Sequence, residues 1–256
     1  MSELMLQQTQ VPRVVPKYEA FLATFPTPAA GAAAPVGDVV RAWQGLGYNR
    51  RAVNLHRAAT AVVERFGGTM PSSLDDLLSL PGVGPYTARA VLVFAFERDV
   101  GLIDTNAGRV VARAVAGRAL APREAQAVAD AAVPPGRAWA WGSAIFDLGA
   151  TVCLKRSPRC GECPVVAHCA WAVAGWPPPD PVVGSAGISG PQSTFEGSDR
   201  QGRGRLVDAL REGPVPWGDV PEVMGWPGDV IRASKVVATL VADGLAVDDG
   251  DVLRLP

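Results

Sequence analysis

From the N-terminus to about residue 175, apolar residues recur at three- and four-residue intervals, and strand-like alternation is scarce. Leu74, Leu77, Leu78 and Leu80 follow Pro71-Ser72-Ser73, a helix start, with Asp75 and Asp76 in the first turn where carboxylates oppose the positive end of the helix dipole. Further helices are predicted over 88–96, over 107–115 opening after Asp104-Thr105-Asn106, and over 122–132. The front of the chain therefore reads as all-α. After 175 the pattern changes. Trp176-Pro177-Pro178-Pro179-Asp180-Pro181 and the Gly/Ser stretch to Gly190 predict a linker over 176–198. A small unit over 199–256 follows, with helices at 202–211 and 231–243 and a β-hairpin turning at Asp249-Gly250. Helices followed by a two-stranded wing predict a winged-helix-like α+β module.

Hydrophobic residues make up 48% of the 256 and charged residues 19%, a balance that fits a globular chain and excludes disorder. No apolar run reaches the ~18 residues of a membrane span, so no membrane partner is expected. The opening Met1-Ser2-Glu3-Leu4-Met5-Leu6-Gln7-Gln8 lacks the basic, apolar, small-residue order of a signal peptide, and a cytoplasmic protein is expected. The net charge of −1 hides an asymmetry. Residues 1–175 carry 17 Lys and Arg against 13 Asp and Glu, and 176–256 carry 7 against 12. The mildly basic front weakly favours DNA contact there. Arg200, Arg203, Arg205 and Arg211 precede or occupy the first helix of the tail, but its acidic balance argues against DNA binding by that module.

All four cysteines, Cys153, Cys160, Cys163 and Cys169, fall in a C-x6-C-x2-C-x5-C window. In a cytosolic chain such clustering points to a metal site and away from disulfides. Four thiolates suit Zn²⁺ or a [4Fe–4S] cluster equally by count. Structural zinc sites usually carry two C-x2-C pairs; one is present here, so the spacing leans to iron–sulfur. Lys155, Arg156 and Arg159 in the first loop are placed to meet phosphates or to remain solvated.

Leu80-Pro81-Gly82-Val83-Gly84-Pro85-Tyr86-Thr87-Ala88 joins two predicted helices. Gly82 and Gly84 allow a tight turn and close backbone approach, and a helix N-terminus just after them favours an anion such as a DNA phosphate. Asp104 follows Tyr86 by eighteen residues and precedes a helix. Alone it reads as an N-cap contributing about 1 kcal/mol.

The ordered combination of hairpin, Asp104 and cysteine loop resembles the iron–sulfur branch of the helix-hairpin-helix DNA glycosylase superfamily. That branch includes endonuclease III, thymine mismatch glycosylases and MutY-type adenine glycosylases. The resemblance covers roughly residues 2–175. Within it Ser2-Glu3-Leu4-Met5-Leu6-Gln7-Gln8-Thr9-Gln10, and Trp43-Gln44-Gly45-Leu46-Gly47-Tyr48 followed by Arg51, Asn54, Leu55 and His56, look like the adenine-glycosylase signatures. Phe146-Asp147-Leu148-Gly149-Ala150 leading into Cys153 is similar too. The implied fold is all-α: a glycosylase of two helical lobes over 1–175, with a [4Fe–4S] loop over 153–169, plus the winged-helix-like module at 199–256.

The resemblance also implies roles. Where the endonuclease III branch carries a Schiff-base lysine, this chain has Tyr86, which offers no amine, so a monofunctional hydrolase is expected. Glu3 matches the acid that protonates adenine, and Asp104 the carboxylate that stabilises the sugar cation. Tyr86 and Asn106 match pocket-orienting positions, Gln8 and Tyr48 match residues wedged into the duplex, and Thr9 matches a contact to the opposite base. The implied partner is double-stranded DNA with a mismatch or lesion, met as a monomer, and the implied reaction removes adenine mispaired with 8-oxoguanine or guanine. In the family a helix and a Pro-Trp-Arg-type segment precede the Glu signature, so an N-terminal truncation is expected; a Nudix-like C-terminal domain is not. The alternatives are a thymine or uracil mismatch glycosylase, a non-catalytic iron–sulfur DNA-binding protein, and a zinc-bearing transcription factor. His56 and His168 are expected to be structural, and Trp43, Trp139 and Trp141 to lie in the core.

Overall fold

A computed structural model describes residues 1–185 and 194–256. The part of the expected linker at 186–193 lies outside the described residues. In chain order the helices are α1 (Ser2–Leu6), α2 (Val11–Thr24), α3 (Pro28–Ala33), α4 (Val36–Ala42), α5 (Arg50–Phe66), α6 (Leu74–Leu78), α7 (Pro85–Phe96) and α8 (Thr105–Val110). A π-helical segment, Val111–Ala116, continues α8. Then come α9 (Pro122–Ala131), α10 (Ala138–Thr151), α11 (Ala170–Val173) and α12 (Asp199–Glu212). The chain ends with β1 (Val215–Pro216), α13 (Val220–Met224), α14 (Val230–Asp243), β2 (Val247–Asp248) and β3 (Val252–Arg254). Among the described residues no helix is long and apolar enough to cross a membrane.

The chain forms two compact units. One comprises Met1–Pro71, Ser79–Val83 and Gln192–Pro256, the other Ser72–Leu78 and Gly84–Pro191. The first contains an apolar cluster in which Met5, Phe21 and Trp43 from the front of the chain join Leu206, Met224, Leu240 and Leu253 from its end. Residues 199–256 thus share a core with the first helices. Gly37 shows how close the packing is: its N–H donates to Pro256 O at 3.0 Å, and a Cβ there would stand 2.6 Å from the same oxygen. The predicted hairpin is present, with Gly250 at φ +91 and β3 central in an antiparallel β1-β3-β2 sheet.

The second unit packs α7, α8 and α10 around Val93, Leu102, Ala107, Val110 and Ile145. Ala138, Gly142, Ile145 and Gly149 form the buried stripe of α10. Trp139 falls off that stripe and is 53% exposed, which corrects the expectation that it is a core residue; Trp43 is fully buried. Residues 177–185, read from sequence as linker, are held by hydrogen bonds. Trp171 Nε1 donates to Pro177 O, Leu120 N donates to Ser185 Oγ, and Val182 is buried.

Candidate active site

Asp104 closes the N-terminus of α8. Its Oδ1 accepts from Asn106 N at 2.8 Å and Ala107 N at 2.6 Å, and its Oδ2 accepts from Asn106 Nδ2 at 3.3 Å. Capping and chemistry therefore draw on the same group: three donors fix the half-buried carboxylate in one orientation. Arg109, one turn further on, is 8% exposed. Its Nη2 donates to Asn106 Oδ1 at 2.8 Å and to Gly149 O at 2.6 Å, its Nη1 to Thr105 O at 2.5 Å, and its Nε to Cys153 O at 2.9 Å. Burial lowers its pKa, and the neighbouring Cys153 and Asp104 oppose that shift. Gly149 lets α10 approach this element, since a Cβ on it would stand 2.7 Å from Asn106 O and 2.8 Å from Asn106 Cβ.

The four cysteines line one small cavity with Leu148, Val152, Val165 and Val166. Cys153 follows α10, Cys160 and Cys163 lie in and just after a short turn at Cys160–Glu162, and Cys169 follows a second turn at Val166–His168 and caps α11. Arg113, 2% exposed, lies alongside: Nη1 donates to Cys153 Sγ at 3.5 Å, and Cys169 Sγ donates to Arg113 O at 3.4 Å. Arg113 grips Asp180 bidentately, Nε to Oδ1 at 2.9 Å and Nη2 to Oδ2 at 2.6 Å. Burial pulls the Arg113 pKa down, but the bonds to Asp180 and Cys153 outweigh it and leave it raised. Burial pushes the Cys153 thiol up, against the nearby arginines. Among the described residues no three His, Cys, Asp or Glu side chains converge as a single ion requires. One tetrahedral Zn²⁺ with Zn–S near ~2.3 Å would need its sulfurs roughly 4 Å apart. A four-iron cluster binds each thiolate at a different iron and so takes a wider ligand set. Four cysteines around one cavity supply the thiolate set that such a cluster takes.

Tyr86 lies in the first turn of α7 and packs its ring 6.4 Å from that of Phe146. Gly84 caps α7, and a Cβ there would point into open space. Gly82 has φ +78, and its Cβ would meet Asn54 Cβ at 2.7 Å, so glycine is required on both counts.

Glu3 sits in the first turn of α1 and is half-buried. The end of that helix is held by Arg51, whose Nη1 donates to Leu4 O, Met5 O and Gln7 O at 2.7, 2.9 and 2.5 Å. Its Nη2 donates to Leu46 O, Gly47 O and Thr9 Oγ1 at 3.0, 3.0 and 3.1 Å. Burial brings the Arg51 pKa down to about 10, so the side chain stays protonated at neutral pH. Gln8 (φ +57) and Tyr48 (φ +45) flank this hub in the left-handed region that non-glycine residues seldom enter. Both line one cleft, and Tyr48 is 44% exposed. The Thr9 hydroxyl, by contrast, bonds inward to Leu46 O at 3.2 Å. His56 Nε2 bonds Ala34 O at 2.9 Å, a structural role.

Sequence reading missed Arg109 and Arg113 altogether and took Arg51 only as part of a signature. Their one available signal was position, each lying within a turn or two of a singled-out residue.

Residues 1–135 match the family described as HhH-GPD superfamily base excision DNA repair protein. The chain is 42% identical over 253 residues to the adenine DNA glycosylase of Mycolicibacterium smegmatis, covering 98% of this chain and 84% of that protein. It is 44% identical over 251 residues to that of Mycobacterium tuberculosis, covering 95% and 80%, and 39% over 174 residues to that of Homo sapiens, covering 66% and 32%. Among solved structures it resembles a thermostable thymine-DNA glycosylase (TM-score 0.63, 27% identity, 68% of this chain and 82% of that one). It also resembles an endonuclease III trapped as a covalent intermediate with DNA (TM-score 0.60, 22% identity, 69% and 84%), a likeness of fold. A capped Asp104 in a helical fold, a glycine hairpin followed by Tyr86 and this extent of identity converge: the chain belongs to the HhH-GPD superfamily of base excision DNA repair proteins, in its adenine DNA glycosylase family.

Proposed function

We propose that the protein is a monofunctional adenine DNA glycosylase that hydrolyses the N-glycosidic bond of adenine mispaired with 8-oxoguanine or guanine in duplex DNA. Residues 1–175 carry the chemistry, and the protein acts as a monomer. The observation that carries this reading is the preorganised Asp104 carboxylate, in a chain whose near-full-length relatives are adenine DNA glycosylases.

Adenine leaves poorly as an anion. Glu3 protonates a ring nitrogen as the C1′–N bond breaks, which lowers the barrier. Positive charge then develops on the sugar. Asp104, fixed before the reaction by Asn106 and Ala107, faces that charge without having to reorganise, and water completes the hydrolysis. Asn106 and Tyr86 orient the pocket. The base must leave the stack, and Gln8 and Tyr48 fill or wedge the duplex beside it while Thr9 contacts the opposite base. Gly82 and Gly84 present the hairpin to a phosphate. With no lysine in place of Tyr86, no Schiff base forms and the strand is left intact.

Cys153, Cys160, Cys163 and Cys169 would hold a [4Fe–4S] cluster. Bound there, the cluster supplies a cross-link that fixes the loop over 153–169. Purified protein with a visible iron–sulfur absorption supports it over colourless Zn²⁺.

Base choice is tested by incubating the protein with duplexes bearing adenine, thymine or uracil opposite guanine or 8-oxoguanine and identifying the released base. Release of adenine alone supports this reading; thymine or uracil replaces it with the mismatch alternative.

A further inference from the structure

Resting on the DNA-repair reading above, we infer that the cleft between the turn at 45–50 and α12 binds the sugar-phosphate backbone of duplex DNA, so that residues beyond 194 form part of the DNA interface. The cleft has a volume of about 880 Å³. Its lining includes Arg13, Arg50, Arg51, Arg200, Arg203 and Arg211 but only two acids, Asp208 and Asp243. Those two are already engaged. Asp243 serves Arg50 at 3.3 Å and Arg203 at 2.5 Å, and Asp208 pairs with Arg211. One carboxylate shared by two guanidinium groups leaves the wall positive. Residues 199–256 hold ten Asp and Glu against seven Lys and Arg, yet eight of those ten acids lie outside the cleft. Three of the seven Lys and Arg line the cleft, Arg200, Arg203 and Arg211, so the tail carries −3 overall (7 − 10) but contributes +1 (3 − 2) to the cleft wall.

The aromatic lining agrees. Tyr48 is 44% and Phe195 53% exposed. The Arg200 guanidinium lies 6.0 Å from the Tyr48 ring centre and 5.1 Å from that of Phe195, and its Nη1 donates to the Tyr48 hydroxyl at 3.2 Å. Guanidinium groups interleaved with exposed aromatic rings meet both needs of a nucleic acid, charge for phosphates and flat apolar faces for sugars and bases. At Gly204 on α12 a Cβ would meet nothing, which leaves room for a backbone to approach. Because Gln8 and Tyr48 line the same cleft, the strand it holds is continuous with the duplex those residues are proposed to wedge.

The test measures anisotropy of a labelled, undamaged short duplex against salt concentration for the full chain, Arg13→Ala/Arg200→Ala, Arg13→Lys/Arg200→Lys, and Lys235→Ala. The alanine pair should bind more weakly and lose about 2 from the slope of log affinity against log salt, as two lost phosphate contacts require. The lysine pair keeps the charge and should keep the slope. Lys235, exposed and outside the cleft, should change neither. An alanine pair with the slope of the unaltered protein overturns the inference. So does a lysine pair that falls as far as the alanine pair, because the loss is then structural. The readout needs no adenine excision, so failure of the adenine reading leaves this result interpretable.

Discussion

Arg109 Nε donates a 2.9 Å hydrogen bond to the carbonyl oxygen of Cys153. The same guanidinium holds Asn106 Oδ1, and Asn106 in turn holds both oxygens of Asp104. One buried arginine therefore connects the first residue of the cysteine loop to the carboxylate proposed to face the sugar. Its charge is spent on polar groups of α8, α10 and the loop.

Arg109→Lys should be damaging although it conserves charge. An ammonium on a flexible stem cannot serve four acceptors spread around a planar fork. Leaving buried carbonyls unmatched costs about 3 kcal/mol, and a shift of Asp104 by an ångström lowers excision roughly 100-fold. Single-turnover excision together with iron content per chain checks this; both should fall.

Gly149→Ala tests the same element from the α10 side. The added methyl would stand 2.7 Å from Asn106 O, so α8 or α10 must move. A strain of about 1–3 kcal/mol is expected, with a lowered excision rate and an iron content near that of the unaltered protein. Neither should change in Gly161→Ala, where a Cβ meets nothing within 4 Å.

Asp180→Asn removes the partner of a guanidinium that is 2% exposed, at a cost of about 3 kcal/mol. The pH dependence has a definite sign. Burial pushes the Asp180 pKa up, but the hydrogen bond from Arg113, the Val182 N–H and the Arg113 charge together outweigh it and leave the folded value below the ordinary 3.8. The pair's contribution is therefore complete above pH 3.8 and is lost as pH falls through the lower folded value. Urea unfolding should show a stability gap between the two proteins at neutral pH that closes in strong acid.

Arg51→Met should leave the carbonyls of Leu4, Met5, Leu46 and Gly47 without their shared donor, destabilising α1 and the Tyr48 turn by about 3 kcal/mol. Faster proteolysis near residues 7–9 and weaker duplex binding are the expected readouts.

The sequence made individual helices legible at 88–96, 122–132 and 231–243, and the hairpin at Asp249-Gly250 through its turn chemistry, whereas α2, α5 and α10 were covered only by the general all-α reading. It missed β1 and α13: a two-residue strand and a five-residue helix set no period, and α13 has none of the Ser-capped start that marked the equally short α6. The cap at Asp104 was readable from the residues that follow it. The arginines behind the site were not, because an arginine in a helix reads as surface, and only the fold shows that Arg51, Arg109 and Arg113 turn inward to backbone carbonyls and a carboxylate.

The central claim is tested most directly by a labelled duplex containing adenine opposite 8-oxoguanine, incubated with anaerobically purified protein and then divided, one half treated with hot alkali. The account expects cleavage at the adenine only after alkali, with loss of that cleavage in Glu3→Gln and in Asp104→Asn. Cleavage without alkali, or unchanged cleavage in Asp104→Asn, would contradict it.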